Sequence, residues 1–122
     1  MTLTEAIRRI DALKPNKYTN AEKTAWLSSL DHQIFNDIVS THEHPLMDAF
    51  QPYETGAEVT LLAYPPYDEE LYPAYLGMMI DRANAEFDRY NQAAVIYNNA
   101  LLTFRNHYNR THLPISRPRF RW

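Results

Sequence analysis

From Leu76 the chain carries an apolar seam whose steps alternate four and three residues without a miss: Leu76, Ile80, Ala83, Phe87, Tyr90, Ala94, Tyr97, Leu101, Phe104, Tyr108. That alternation holds apolar groups on one side of an α-helix and matches a helix buried along its length. Polar residues, among them Asp81, Arg82, Asn84, Asp88, Asn91, Asn98 and Asn106, fill the positions between. The seam predicts one long helix over about residues 73–109. Pro73 belongs in its first turn, because deeper inside a helix proline costs about 3 kcal/mol or more. At 1.5 Å per residue such a helix is roughly 55 Å long. That exceeds the diameter of a domain this size, so the helix is expected to project or to kink, with Gly77 and Asn98-Asn99 as the kink sites.

Two shorter helices precede it. Thr2-Leu3-Thr4-Glu5 and Thr19-Asn20-Ala21-Glu22 each fit a capping box. After the first, Leu3, Ala6, Ile7, Ile10 and Leu13 share a face, and Lys14-Pro15-Asn16 ends the helix because the residue before proline avoids the α region. The second carries Trp26, Leu27, Leu30, Ile34, Ile38 and Val39 and runs to about Ser40. Joined by a short turn, the two read as a helical hairpin. Residues 41–67, punctuated by Pro45, Pro52, Gly56, Pro65 and Pro66, read as a loop wrapping the helices. Within it, residues 58–64 are extended or form a short edge strand. A loop of this length is uncommon in a compact domain and is often functional. Asp68 caps a short turn over 69–72. The expected fold is all-α: an N-terminal hairpin packed on one long C-terminal helix, a single helical domain over 1–112, and an extended tail over 113–122. In that tail Arg117, Arg119 and Arg121 face one way and Pro118, Phe120 and Trp122 the other.

Charge is divided unevenly. Residues 1–88 hold all 15 acidic residues and half of the 12 Lys/Arg, while residues 89–122 hold the other half and no acid, so a net charge of −3 conceals −9 against +6. Such a division suits a molecule whose two ends meet different surfaces. Acids early and bases late also complement the dipole of a long helix, although that does not require the basic tail. There is no cysteine, which excludes disulfides, thiolate metal sites and a cysteine nucleophile. No run of about 18 apolar residues indicates a membrane span, and the first residues lack the apolar core of a secretory signal.

Motifs for chemistry are sparse. His42-Glu43-His44 brings metal-ligand types together but lacks HExxH spacing and a third ligand nearby, and reads as a solvated loop cluster. His32, His107 and His112 read as isolated surface or interface residues. Asp68-Glu69-Glu70 is better explained by helix capping than by acid–base work. With only Gly56 and Gly77 there is no phosphate-cradling loop. No catalytic residue, metal or cofactor is expected, and the chain does not read as an enzyme. Leu76, Ile80, Phe87, Tyr90, Tyr97, Leu101, Phe104 and Tyr108 are the expected packing positions, serving the core or a subunit interface, where tyrosine is enriched. Arg117, Arg119, Phe120, Arg121 and Trp122 read as a docking arm for a protein partner, since arginine and tryptophan are frequent interface anchors. The same residues also suit phosphate and base contacts, so a nucleic-acid-binding accessory protein stays open as an alternative, as does a helical module binding one protein partner.

One resemblance spans most of the chain outside about 44–62. Tyr67-Asp68-Glu69-Glu70-Leu71-Tyr72, Tyr75-Leu76, Ile80-Asp81, Ala83-Asn84, Glu86, Arg89-Tyr90-Asn91, Tyr97-Asn98, Ala100, Phe104 and Tyr108-Asn109-Arg110-Thr111-His112-Leu113-Pro114 resemble small proteins encoded among the head genes of tailed phages and prophages. In the hairpin the likeness continues through Ala6-Ile7, Asp11, Leu13-Lys14-Pro15-Asn16, Tyr18, Lys23, Trp26-Leu27, Leu30-Asp31 and His42-Glu43. Members of that family are called head–tail connector or adaptor proteins. The resemblance implies a homo-oligomeric, dodecameric ring below the portal protein. The ring would be assembled in the host cytoplasm and would lie at the neck of the virion. It would extend the DNA channel without sequence-specific binding and dock tail or stopper proteins. An arm or C-terminal tail would hold the subunit to the portal. Any channel lining is expected from the acidic residues 1–88, which repel phosphate and let DNA slide.

Overall fold

Both threonine caps form. Thr2 accepts the Glu5 amide at 3.2 Å and opens α1, Leu3–Leu13, while Thr19 accepts the Glu22 amide at 3.1 Å and opens α2, Asn20–Asp37. These details come from a computed structural model that describes residues 1–42 and 49–112. Over those residues the protein is all-α, with a single 3-10 turn, Val39–Thr41, following α2. The tail over 113–122 lies outside the described residues.

The expected long helix is two helices, α3 (Asp68–Ala83) and α4 (Phe87–Thr111). The chain reverses between them through a Schellman arrangement. Glu86 N–H donates to the Asp81 carbonyl at 2.9 Å and Ala85 N–H to the Arg82 carbonyl at 3.0 Å, with Ala85 in the left-handed region at φ 58. This satisfies carbonyls that a helix end leaves open. The break falls at neither expected kink site, as Gly77 and Asn98-Asn99 both lie inside unbroken helix. Folding at this point turns the two arms of the seam toward each other. Tyr75 meets Tyr97 with ring centroids 5.2 Å apart, and Tyr64 meets Phe104 at 5.3 Å. Leu76, Ile80, Tyr97, Phe104 and Tyr108 are buried, and Tyr90 and Leu101 are half-buried. Phe87 departs from its expected packing role. Sitting just past the turn, where nothing lies opposite it, it is 63% exposed.

Helix α3 also starts earlier than Pro73 suggested, leaving that proline in its second turn. Hydrogen bonding begins upstream, with Asp68 N–H on the Tyr64 carbonyl at 3.2 Å and Leu71 N–H on the Tyr67 carbonyl at 3.0 Å. Asp68, Glu69 and Glu70 in the first turn complement the positive end of the helix dipole.

Helices α1 and α3 run side by side in the same direction. The Met1 ammonium meets Asp68 at 2.6 Å and Lys14 meets Asp81, the same separation of 67 residues at both ends. Helix α2 returns along them, and α4 returns along α3. In place of an edge strand over 58–64, the described residues show an isolated antiparallel bridge between Thr2 and Thr60, with Leu3 N–H on the Val59 carbonyl and Leu61 N–H on the Met1 carbonyl, both at 2.9 Å. The bridge carries Leu61 and Ala63 into the core beside Leu27, Leu30, Leu71 and Tyr72.

Two stability predictions follow from the hairpin. A left-handed alanine costs about 1–2 kcal/mol, partly offset by the unfolded-state entropy a glycine would add. Ala85→Gly should therefore raise unfolding stability by roughly 0.5–1 kcal/mol in urea titration; a loss would mean that the turn is not built this way. Phe104→Ala should cost about 3–5 kcal/mol, while Phe87→Ala should stay within about 0.5 kcal/mol as an exposed change. Equal losses at the two positions would contradict the folded seam.

Candidate functional site

The sequence places Lys23, Leu27, Asp31 and Ile34 on one buried stripe of α2, so two ionisable side chains enter the interior. Asp31 has 0% exposure. It accepts the Tyr72 hydroxyl at 2.7 Å, the Tyr53 hydroxyl at 2.5 Å and the Leu62 N–H at 3.0 Å. Tyr72 in turn accepts the Ala63 N–H at 2.8 Å. The carboxylate thus ties α2, α3 and the loop that crosses them. Burial raises its pKa above the ordinary 3.8, although its three donors pull the other way. Burial, and then the Asp31 charge, push the Tyr53 and Tyr72 hydroxyls well above 10. At the opposite end of the bundle the buried Lys23 ammonium meets Asp11 at 2.5 Å and Asn16 at 3.4 Å, and Tyr18 donates to Asn84 at 2.5 Å.

The exposed side of α4 is mainly polar, with Asp88, Asn91, Gln92, Asn99 and Asn106 on it, but it also carries three large aliphatic side chains. Val95, Ile96 and Leu102 are each more than half exposed. Beside them α2 and α4 enclose a groove of about 290 Å³, floored by Leu30, Ile34, Ile38 and Leu101 and edged by Leu102, Asp37 and Arg105. Such a surface suits the burial of a partner's apolar side chains.

Where α4 ends, histidines and tyrosines gather. Tyr64 and His107 share a hydrogen bond at 2.9 Å, Tyr108 and His112 stack at 3.8 Å, and the buried His42 ring meets Tyr108 edge-on at 4.9 Å. His107 and His112 are therefore not the isolated residues the sequence suggested, and His32 stacks on Phe50 at 5.1 Å. Among the described residues no three His, Asp or Glu side chains are placed to share a metal ion.

Of the docking arm, Arg117, Arg119, Phe120, Arg121 and Trp122 all lie outside the described residues, as do Glu43 and His44. Sequence reasoning missed Asp31, Tyr53 and Lys23. The signal was present for Asp31 and Lys23: each sits four residues from Leu27 on an otherwise apolar stripe, the mark of a buried and partnered polar group. Tyr53 carried no comparable signal, because it reaches Asp31 from an irregular loop. No family model, curated protein or solved structure matches this chain.

Asp31→Ala leaves two hydroxyls and one N–H without their acceptor. At about 1–3 kcal/mol for each unpaired buried group it should cost about 3 kcal/mol or more. The pH dependence has a definite sign. Because the folded pKa is raised, folding favours the protonated form. The contribution of Asp31 is fully present below the unfolded value of 3.8 and falls as pH rises through the folded pKa. Asp31→Asn removes this titration, so the stability of the wild type relative to Asp31→Asn should fall as pH is raised from 3.8. A difference that grows in that range would contradict the assignment.

Proposed function

We propose that the chain is a structural subunit of a tailed-phage or prophage head–tail connector. In this reading it is an adaptor that closes into a homo-oligomeric, dodecameric ring beneath the portal, extends the DNA channel and docks tail or stopper proteins. The observation that carries the reading is a coincidence of residues. Asp11, Lys14, Asn16, Tyr18, Lys23, Asp31, Asp81 and Asn84 carry the resemblance to connector proteins, and they are also the side chains that tie α1, α2 and α3 together. The likeness therefore rests on what builds the subunit. Val95, Ile96 and Leu102, exposed on the otherwise polar side of α4, support the same reading, since a ring subunit must bury surface against its neighbours. DNA passes without sequence-specific contacts, and the arm formed by Arg117, Arg119, Phe120, Arg121 and Trp122 engages the portal.

The arm supplies the test. Deleting residues 117–122 should leave the melting temperature unchanged and weaken binding to the portal protein of the same phage by about tenfold or more, as loss of an arginine–tryptophan anchor does at other interfaces. Equal portal affinity for the truncated and full chains would remove the arm from the mechanism. Salt-dependent binding of free DNA by the full chain and not by the truncated one would favour the nucleic-acid reading instead.

A further inference from the structure

We propose that the outward side of α4 recognises itself: a second copy of the chain lays its own α4 antiparallel along it, with a two-fold axis at Val95. The pair is formed by the isolated protein and does not depend on the connector reading.

Three apolar side chains mark the surface. Phe87, Val95 and Leu102 are 63%, 59% and 53% exposed. Around the helix Leu102 lies about 20° from Val95 and Phe87 about 80° from it, so the three share one side over about 23 Å. The polar residues between them run in mirror order about Val95. Asn91 and Gln92 precede it, Asn98 and Asn99 follow it, and all four are exposed. An antiparallel copy therefore sets Val95 on Val95, Asn91 on Asn99 and Gln92 on Asn98, while Phe87 comes beside Leu102 at both ends. Apolar side chains meet apolar ones, and each amide meets a group that can both donate and accept.

Charge selects the direction. Asp88 and Arg105 are exposed and have no ion-pair partner among the described residues. In the antiparallel pair Arg105 of one copy faces Ala85 of the other. Asp88 lies about 4.5 Å along the axis from that point, within reach of the long arginine side chain. The two-fold makes this ion pair twice. A parallel copy would set Asp88 against Asp88 and Arg105 against Arg105, and would align the two helix dipoles; both effects are repulsive. A pattern mirrored about one of its own residues is matched by a second copy, whereas an unrelated partner has no reason to share that centre. With three apolar side chains per copy in a mostly polar contact, the pair is weak enough to be exchanged for other neighbours.

The mass of the chain alone, by sedimentation or light scattering between about 1 μM and 1 mM, reads the pair out over the matching range of affinities. A monomer–dimer equilibrium is expected. Val95→Glu sets two carboxylates face to face on the axis and should raise the dimer dissociation constant about tenfold or more, with the melting temperature unchanged at this exposed position. Leu102→Glu should weaken the pair likewise, and carries the test if Val95→Glu does not fold. Asp88→Arg and Arg105→Asp should each weaken it alone. Combined in one chain, or mixed as two single variants, they restore both ion pairs and with them the association. A wild type that stays monomeric at about 1 mM overturns the proposal. So does a dimer indifferent to both glutamate variants, or a double charge variant no tighter than the single ones. A ladder of larger masses without a dimer step overturns it in favour of a head-to-tail contact.

Discussion

Asp31 is the carboxylate on which three parts of the structure converge. It belongs to α2, accepts a hydroxyl from α3 through Tyr72, and accepts both Tyr53 and the Leu62 N–H from the connecting loop. Burying a charge is expensive unless every lone pair finds a donor. The arrangement is therefore selective: it is tolerated only when the loop lies across the bundle in this register. Once it does, Leu61 and Ala63 enter the core and the Thr2–Thr60 bridge closes the far side of the same loop. A second polar knot, Lys23 with Asp11 and Asn16, fixes the turn between α1 and α2 at the other end. Apolar burial drives the collapse, and these polar ties decide which collapsed arrangement it is.

The α3–α4 hairpin follows a different logic. A seam of alternating four and three is satisfied by any apolar partner, and the nearest one is its own other half. Reversal needs one residue in the left-handed region, and Ala85 supplies it without glycine because the Schellman hydrogen bonds around it hold the turn. Phe87 keeps its place in the periodic pattern but loses its partner, since the turn leaves no α3 residue opposite it.

The capped hairpin of α1 and α2 was legible almost residue by residue, because capping boxes and a proline stop are local signals. Hairpin and straight helix share one periodicity, so the seam alone did not separate them. Two cues favoured the break: Arg82 closing one helix and Asp88 opening the next, and a length exceeding the domain. Glycine, the usual marker of such a turn, was missing. Pro73 is a local signal for a helix start, but the helix begins upstream of it, where the Tyr64 and Tyr67 carbonyls accept the Asp68 and Leu71 N–H groups. The groove was not legible at all. It arises from the spacing of α2 and α4, which no single stripe encodes, and Leu102 on its edge lies off the seam.

The result is a chain with an interior held by polar ties and three aliphatic side chains, Val95, Ile96 and Leu102, exposed on α4, which accords with the proposed role in an assembly. The most direct measurement of the proposed role is the mass of the purified protein alone and after mixing with the portal protein proposed as its partner, by native mass spectrometry or light scattering. The account predicts a discrete, high-order, symmetric complex containing both proteins. A chain that remains monomeric at every ratio, with the portal unchanged, would contradict it.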